Sequence, residues 1–178
     1  MLERTNLINS LIRENEYRAY LEIGYGDGIN FNEVKCPLKV SVDPIFTPTF
    51  KGTSDEFFKK NRRFFDLVFI DGLHLAEQVI KDVDNSLKWL YPNGAILIHD
   101  CKPRLEIHQS REKLSRTWNG DVWKAIVELS RKGYNLNLLP VDETGIILLK
   151  DGKKTFNVPD GDLTWEWYTK NYMNIFNK

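Results

Sequence analysis

The run Phe65-Asp66-Leu67-Val68-Phe69-Ile70-Asp71 is almost continuously apolar and closes on an acid. A strand with one face in water alternates apolar and polar residues. An unbroken apolar run belongs instead to a strand buried on both faces, as in a parallel sheet with helices packed above and below it. Ala95-Ile96-Leu97-Ile98-His99-Asp100 repeats the pattern, again with polar residues at its carboxyl end. Shorter strands are expected at Tyr20-Leu21-Glu22-Ile23, at Lys39-Val40-Ser41-Val42-Asp43 and over residues 50–53.

The stretches between these strands have helical spacing. Leu7, Ile8, Leu11 and Ile12 form a stripe within residues 2–15, and Val79, Val83, Leu87 and Leu90 recur every three or four positions within residues 75–90. A brief helix or turn is expected at 31–34 and helices at 55–61 and 122–131, with a turn at Pro92-Asn93-Gly94. Residues 136–141 and 145–149 pair across Asp142-Glu143-Thr144 as an antiparallel hairpin. Strands alternating with helices imply a doubly wound α/β fold.

Two segments stand apart from this alternation. Residues 102–119 are polar and without period, so they read as a long loop or lid. Residues 163–176 read as a C-terminal aromatic helix, in which Trp165, Trp167, Tyr168 and Tyr172 pack onto the sheet or form an oligomer contact. No repeat, low-complexity tract or linker divides the 178 residues. One domain is therefore expected over 1–178, with an N-terminal helix within 1–19 and no separate substrate domain.

Composition narrows the function. Lysine plus arginine and aspartate plus glutamate each total 25, so the formal net charge is zero. Nothing supplies the basic excess of a protein that binds phosphate backbones, and nucleic acid is not expected as a partner. The one basic cluster, Lys59, Lys60, Arg62 and Arg63, is flanked by Asp55, Glu56 and Asp66 and reads as a solvated helix end. Cys36 and Cys101 lack zinc-ribbon or disulfide-framework spacing. With no basic-then-apolar leader and no long apolar run, a soluble cytoplasmic protein without membrane contact is expected.

In an open parallel sheet, ligands bind beyond the carboxyl ends of the strands. Here the polar residues collect at those ends: Glu22 with Gly24, Gly26 and Gly28; Asp43; Asp71 with His74; His99 with Asp100. The glycines form GxGxG rather than the GxGxxG of dinucleotide binders. Such a turn lets a ligand approach the backbone, and a carboxylate at the end of the second strand can accept two ribose hydroxyls. With no pyrophosphate signature beside it, the site suits a nucleoside without phosphates.

Tyr20-Leu21-Glu22-Ile23-Gly24-Tyr25-Gly26-Asp27-Gly28 resembles motif I of class I S-adenosylmethionine-dependent methyltransferases, and Ser41-Val42-Asp43-Pro44 resembles their motif II. Residues 65–74 and 91–100 resemble the strand segments that follow, so the similarity spans about Tyr20 to Asp100. The resemblance implies a Rossmann-like, mostly parallel seven-stranded sheet with an antiparallel C-terminal hairpin and helices on both faces. It implies cofactor binding by Gly24, Gly26 and Gly28, with Glu22 beneath them and Asp43 on the ribose. Ser54 or Asp55 would meet the adenine edge, and Asp71 the methionine amino group or the reacting centre.

The second half of the motif set resembles cation-dependent small-molecule O-methyltransferases. By that resemblance Asp71 and Asp100 would hold magnesium or another divalent cation, although Cys101 stands where those enzymes carry an Asn. His74 falls at the offset of their basic lysine, three residues after the first aspartate, and would act as base, with Asp71 and His99 as the other catalytic candidates. His99 is also a candidate ligand for a softer metal, or a group behind the site. At the end of the lid, Trp118 and Asp121 are read as a pocket cover or, for Asp121, as an N-cap for the following helix; His108 and Arg111 in the lid are read as solvated loop residues or as contacts to an anionic or sugar-like acceptor.

The function implied is S-adenosylmethionine-dependent methylation of an oxygen on a small metabolite or saccharide-type acceptor, by a chain that can form a homo-oligomer. Two readings stay open beside it: an NAD-dependent oxidoreductase, and a non-catalytic nucleoside-binding module.

Overall fold

The computed structural model describes residues 3–139, 141–150 and 158–172. Seven strands form one sheet: β1 (Ala19–Ile23), β2 (Leu38–Asp43), β3 (Phe50–Lys51), β4 (Phe65–Ile70), β5 (Leu90–Ile98), β6 (Asn135–Leu139) and β7 (Ile146–Lys150). Around it lie α1 (Glu3–Glu14), α2 (Ile29–Glu33), α3 (Ser54–Lys60), α4 (Ala76–Leu87), α5 (Val122–Arg131) and the short α6 (Trp165–Trp167). The strand order is β3-β2-β1-β4-β5-β7-β6. Neighbours from β3 through β5 are parallel, while β7 runs antiparallel to both β5 and β6.

The central strands carry two cores. On one face Leu67, Phe69, Ala95 and Leu97 pack with Ile8, Ile12, Tyr17 and Val34. On the other, Val68, Ile70, Ile96 and Ile98 pack with Phe57, Val79, Val83, Trp123 and Ile126. Alternate residues of β4 and β5 thus serve opposite cores, which is why Leu67 to Ile70 of β4 and Ala95 to Ile98 of β5 include no polar residue. The helix α4 starts without a side-chain cap from Leu75. Burial of Val79 and Val83, roughly 1.5–3 kcal/mol each, holds it to the sheet.

Three expectations are corrected. Pro92-Asn93-Gly94 lies inside β5 rather than in a turn before it. Phe65 pairs with Leu90 and Leu67 with Ala95, so the intervening residues bulge opposite Asp66; Pro92 has no amide for the ladder, and a bulge is where a strand tolerates it. The helix expected over 75–90 ends at Leu87, because Trp89 and Leu90 turn back to the sheet, where Phe65 donates its amide to Trp89 O. The aromatic helix expected over 163–176 is α6 followed by a π-helical turn, Tyr168–Tyr172. Residues 173–176 of that expectation, like residues 1 and 2 of the N-terminal helix, lie outside the described residues. Trp167, Tyr168 and Tyr172 bury their rings against Trp123 of α5, so this segment packs within its own chain.

Candidate active site

After β1 the chain steps outward to β2 and β3, then returns to place β4 on the other side of β1. The connections leaving β1 and β4 therefore diverge, and a crevice opens at their carboxyl ends. A cavity of about 600 Å³ occupies it. Its wall includes Glu22, Gly24, Gly26, Asp43, Ser54, Asp55 and Asp71 of the expected cofactor residues, together with Arg4, Asn30, Gln78, Asp82, Lys113 and Trp118.

The glycines divide the work. Gly24 has φ +94°, and a Cβ there would lie 2.1 Å from the carbonyl oxygen of Asp71, so only glycine lets the β1 turn sit flush on the end of β4. Gly26, at φ +54°, would direct a Cβ into open space, the surface a ligand can approach. Gly28 is not on the cavity wall; it stands at the N-cap position of α2.

Asp43 lies on the wall, but its carboxylate is already a strut. One oxygen accepts the amides of Tyr25 and Gly26 at 3.1 and 3.2 Å, the other those of Ile45 and Phe46 at 2.8 and 3.2 Å. It therefore binds the glycine turn to the loop after β2, and a ribose would share these oxygens with the backbone.

At the cavity floor Glu22 accepts the Tyr20 hydroxyl at 2.6 Å and the Asn30 amide at 2.8 Å, while Thr5 donates to Asn30 at 2.7 Å. Burial raises the Glu22 carboxyl to about 7, against the lowering effect of the Tyr20 and Asn30 hydrogen bonds. At the other end Gln78 donates to Ser54 and Asp82 at 3.2 and 3.0 Å, and Asp55 is held by Lys81. Burial raises Asp82 to about 6. Sequence reading missed Asp82 although a signal was present: it falls on the stripe of α4 that buries Val79, Val83 and Ser86.

Beside the cavity, Asp71, His74, His99 and Asp100 come together. His74 Nε2 lies 3.5 Å from Asp71 and 3.3 Å from Asp100, and His99 Nδ1 lies 3.0 and 3.2 Å from the same carboxylates. The second nitrogen of His99 meets Asp142 and Thr144, each at 3.2 Å. Burial alone would lower both imidazole pKa values, but the facing acids outweigh it: His74 is raised, and His99 is raised well above its usual value. Burial would raise Asp71, yet the two histidines hold it well below the usual carboxylate range. Asp142, unnoticed as a turn residue, is lowered chiefly by its hydrogen bond to His99.

Asp71, His74 and Asp100 each offer one donor atom, and the three atoms lie within 4.8 Å of one another. Two carboxylate oxygens and an imidazole nitrogen fit a divalent cation. Cys101, where an Asn was expected from the resemblance, is fully buried with its thiol donating to Ile98 O at 2.9 Å. His99 is outside this trio and braces it from behind. Asn119 supplies an amide from elsewhere, donating to Asp100 Oδ1 at 3.1 Å.

The lid segment contains one 3-10 turn, Glu106–Gln109. Lys113 and Trp118 reach the cavity wall; His108, Arg111 and Asp121 do not. Arg111 is tied to Glu77 and Asp121 instead. The expected capping role of Asp121 is also corrected, since its side chain makes no hydrogen bond to its own helix and accepts the Ala76 amide.

The family model for a methyltransferase domain matches residues 10–101, more than half of the chain. The chain belongs to this methyltransferase family. The matched span runs from α1 through β5 and so holds nearly all of the cavity wall and the Asp71 cluster. No curated protein matches the methyltransferase by sequence.

Solved structures share its fold. The S-adenosylhomocysteine-bound methyltransferase from Podospora anserina is 18% identical with a TM-score of 0.61, over 84% of this chain and 78% of that one. The O-methyltransferase TomG of Streptomyces achromogenes, solved with S-adenosylmethionine, is 15% identical with a TM-score of 0.62, over 84% and 80%. The MycE methyltransferase of the mycinamycin biosynthetic pathway, in complex with magnesium, S-adenosylhomocysteine and mycinamycin VI, is 15% identical with a TM-score of 0.55, over 90% and 51%.

Proposed function

We propose that this methyltransferase moves the methyl group of S-adenosylmethionine to a hydroxyl oxygen of a small metabolite or saccharide-type acceptor. The observation that carries the reading is one continuous cavity, from Arg4 and Glu22 past the glycine turn and Asp43 to Ser54 and Asp82, with the Asp71 cluster at its side. Its volume, about 600 Å³, is ordinary for a small-ligand site. Family membership disfavours the oxidoreductase and the non-catalytic module. The neighbours solved with S-adenosylmethionine, S-adenosylhomocysteine and magnesium support the choice of cofactor and of cation.

In this reading Gly24, Gly26 and Glu22 surround the methionine portion, with Gly28 starting α2 behind them. Asp43 meets the ribose, and Ser54, Asp55 and Asp82 meet the adenine edge. S-adenosylmethionine supplies a methyl group on a positively charged sulfur, for in-line displacement by an oxygen. The chain's task is to hold that oxygen in line and remove its proton. His74 Nε2 takes the proton, Asp71 and Asp100 stabilise the charge it acquires, and His99 braces both acids. A divalent cation held by Asp71 and Asp100 would lower the hydroxyl's own pKa. Lys113 and Trp118 of the lid wall the acceptor side.

Among the described residues no helix is long and apolar enough to cross a membrane. We propose that the protein acts in the cytoplasm as one domain able to self-associate, without nucleic acid or membrane; the balance of basic and acidic residues supports the exclusion of nucleic acid.

S-adenosylhomocysteine is expected to raise the melting temperature of the wild-type protein by linkage. No shift at saturating ligand would remove the cofactor assignment. His74→Gln is expected to keep that shift and lose on the order of 100-fold in turnover; full turnover would remove His74 as base.

A further inference from the structure

The segment that closes the lid makes four separate contacts with the acid–histidine cluster. The Trp118 indole stacks on the His74 ring, with centroids 4.7 Å apart and planes 22° apart. Its carbonyl oxygen lies 3.1 Å from His74 Nδ1. Asn119, fully buried, donates its side-chain amide to Asp100, and the Asp121 amide donates to His74 O at 3.1 Å. Between them Gly120, at φ +58°, would place a Cβ 1.8 Å from His74 O and 2.6 Å from His74 Cβ. Backbone thus touches backbone here, and no side chain fits.

A carbonyl oxygen only accepts hydrogen bonds, so the Trp118 contact requires the proton on Nδ1. A neutral His74 held this way has its lone pair on Nε2, the nitrogen facing Asp71 and Asp100. That is the less populated tautomer of a neutral histidine in water, so the surroundings must select it. The stacked indole fixes the plane of the ring, and the Gly120 contact fixes its distance from the carbonyl. Asn119 Oδ1 is buried without a partner among the described residues. An amide kept there at the cost of an unsatisfied oxygen is explained by the carboxylate its nitrogen orients.

We propose that Trp118-Asn119-Gly120 is a positioning clamp that holds His74 in its Nδ1–H tautomer and presents Nε2 to the reacting centre, while orienting Asp100 beside it. The proposal rests on the reading of His74 as the base. It makes the lid a part of the catalytic geometry as well as a cover, because the ring is held correctly only while the segment lies closed. These three residues fall outside the span matched by the family model, residues 10–101.

The test is nitrogen NMR on protein carrying 15N-labelled histidine, at alkaline pH with the rings neutral. The chain has three histidines, and His74→Gln assigns the signal. The wild type is expected to show His74 as Nδ1–H; an Nε2–H ring overturns the clamp. Gly120→Ala is expected to shift His74 toward Nε2–H and to lower kcat about 100-fold, with the KM for S-adenosylmethionine within about twofold. Trp118→Ala, a second variant should Gly120→Ala fail to fold, is expected to shift the tautomer in the same direction. A folded variant that keeps Nδ1–H and wild-type kcat overturns the proposal. If the wild type shows Nδ1–H and the variant loses it, the clamp stands even where S-adenosylhomocysteine fails to bind, an outcome that would retire the proposed function alone.

Discussion

Asp121 caps a helix that begins 45 residues before it: its Oδ1 accepts the Ala76 amide at 2.8 Å, at the start of α4. The other oxygen accepts Arg111 at 2.8 Å, and Asp121 is only 3% exposed. Leu75, at the N-cap position of α4, has no side chain able to do this. Asp121→Ala is expected to leave a helix amide without its partner and to take one of two acids from the Arg111 guanidinium, which keeps Glu77, costing about 2–3 kcal/mol. The melting temperature would fall by roughly 5–10 °C. Arg111→Ala removes only a half-exposed cation and is expected to cost less than about 1 kcal/mol. Equal losses in thermal denaturation of the two variants would show that the ion pair, not the cap, matters.

Glu22 makes stability depend on pH in a direction opposite to most carboxylates. Its folded pKa of about 7 lies above the ordinary 4.5, mainly because it is buried. The folded state therefore keeps a proton that the unfolded state releases across that window, and stability falls as pH rises from about 4.5 to 7. The contribution is roughly 3 kcal/mol across the window. Glu22→Gln keeps an oxygen for Tyr20 and Asn30 but cannot ionise. Urea denaturation at several pH values is expected to show a flatter profile for the variant than for the wild type between those limits. Parallel profiles would place the buried proton elsewhere.

The sheet was readable because both faces of β4 and β5 are buried, which leaves an apolar run in sequence that few other folds tolerate. The strand-end acids were readable for the complementary reason: a polar residue closing such a run has to be at the rim. What local pattern does not carry is contact across distant parts of the chain. Asp142 has the look of a turn residue, and only the antiparallel insertion of β7 beside β5 brings it to His99. Asn119 and Trp118 lie in a segment with no period, and their partners are 19 and 44 residues away. Asp121 sits where an N-cap belongs, so its sequence position gave the wrong helix. The bulge in β5 was hidden because Pro-Asn-Gly is turn chemistry whether a turn or a bulge uses it.

Arg4 projects from α1 onto the cavity wall at the end that holds Glu22. Among the described residues its ion-pair partner is distant, Asp142 at 3.7 Å, and its Nε is buried without a hydrogen bond. A guanidinium left in that state suits the carboxylate of the cofactor's methionine portion. Arg4→Ala is expected to weaken S-adenosylhomocysteine binding about tenfold, or about 1.4 kcal/mol. An analogue lacking that carboxylate is expected to bind wild type and variant alike. Calorimetry that finds the same tenfold loss with both ligands would place Arg4 on another part of the cofactor.

The cation assignment makes its own demand on the Asp71–Asp100 pair. The two carboxylates face two imidazoles at 3.0–3.5 Å, so their charge has two alternative partners, protons on histidine or a metal. If a cation is the working partner, dialysis against a chelator is expected to lower turnover by at least about 100-fold. Mg²⁺ or Mn²⁺, both suited to carboxylate oxygens, is expected to restore it. S-adenosylhomocysteine affinity is expected to change little on chelation, because Arg4, Glu22, Asp43 and Ser54 lie along other parts of the wall. Asp100→Asn is expected to behave like the chelated enzyme, and added cation should not rescue it. Turnover that survives chelation unchanged would leave charged histidines as the partners of both acids, and His74 would then do its work without help from a metal.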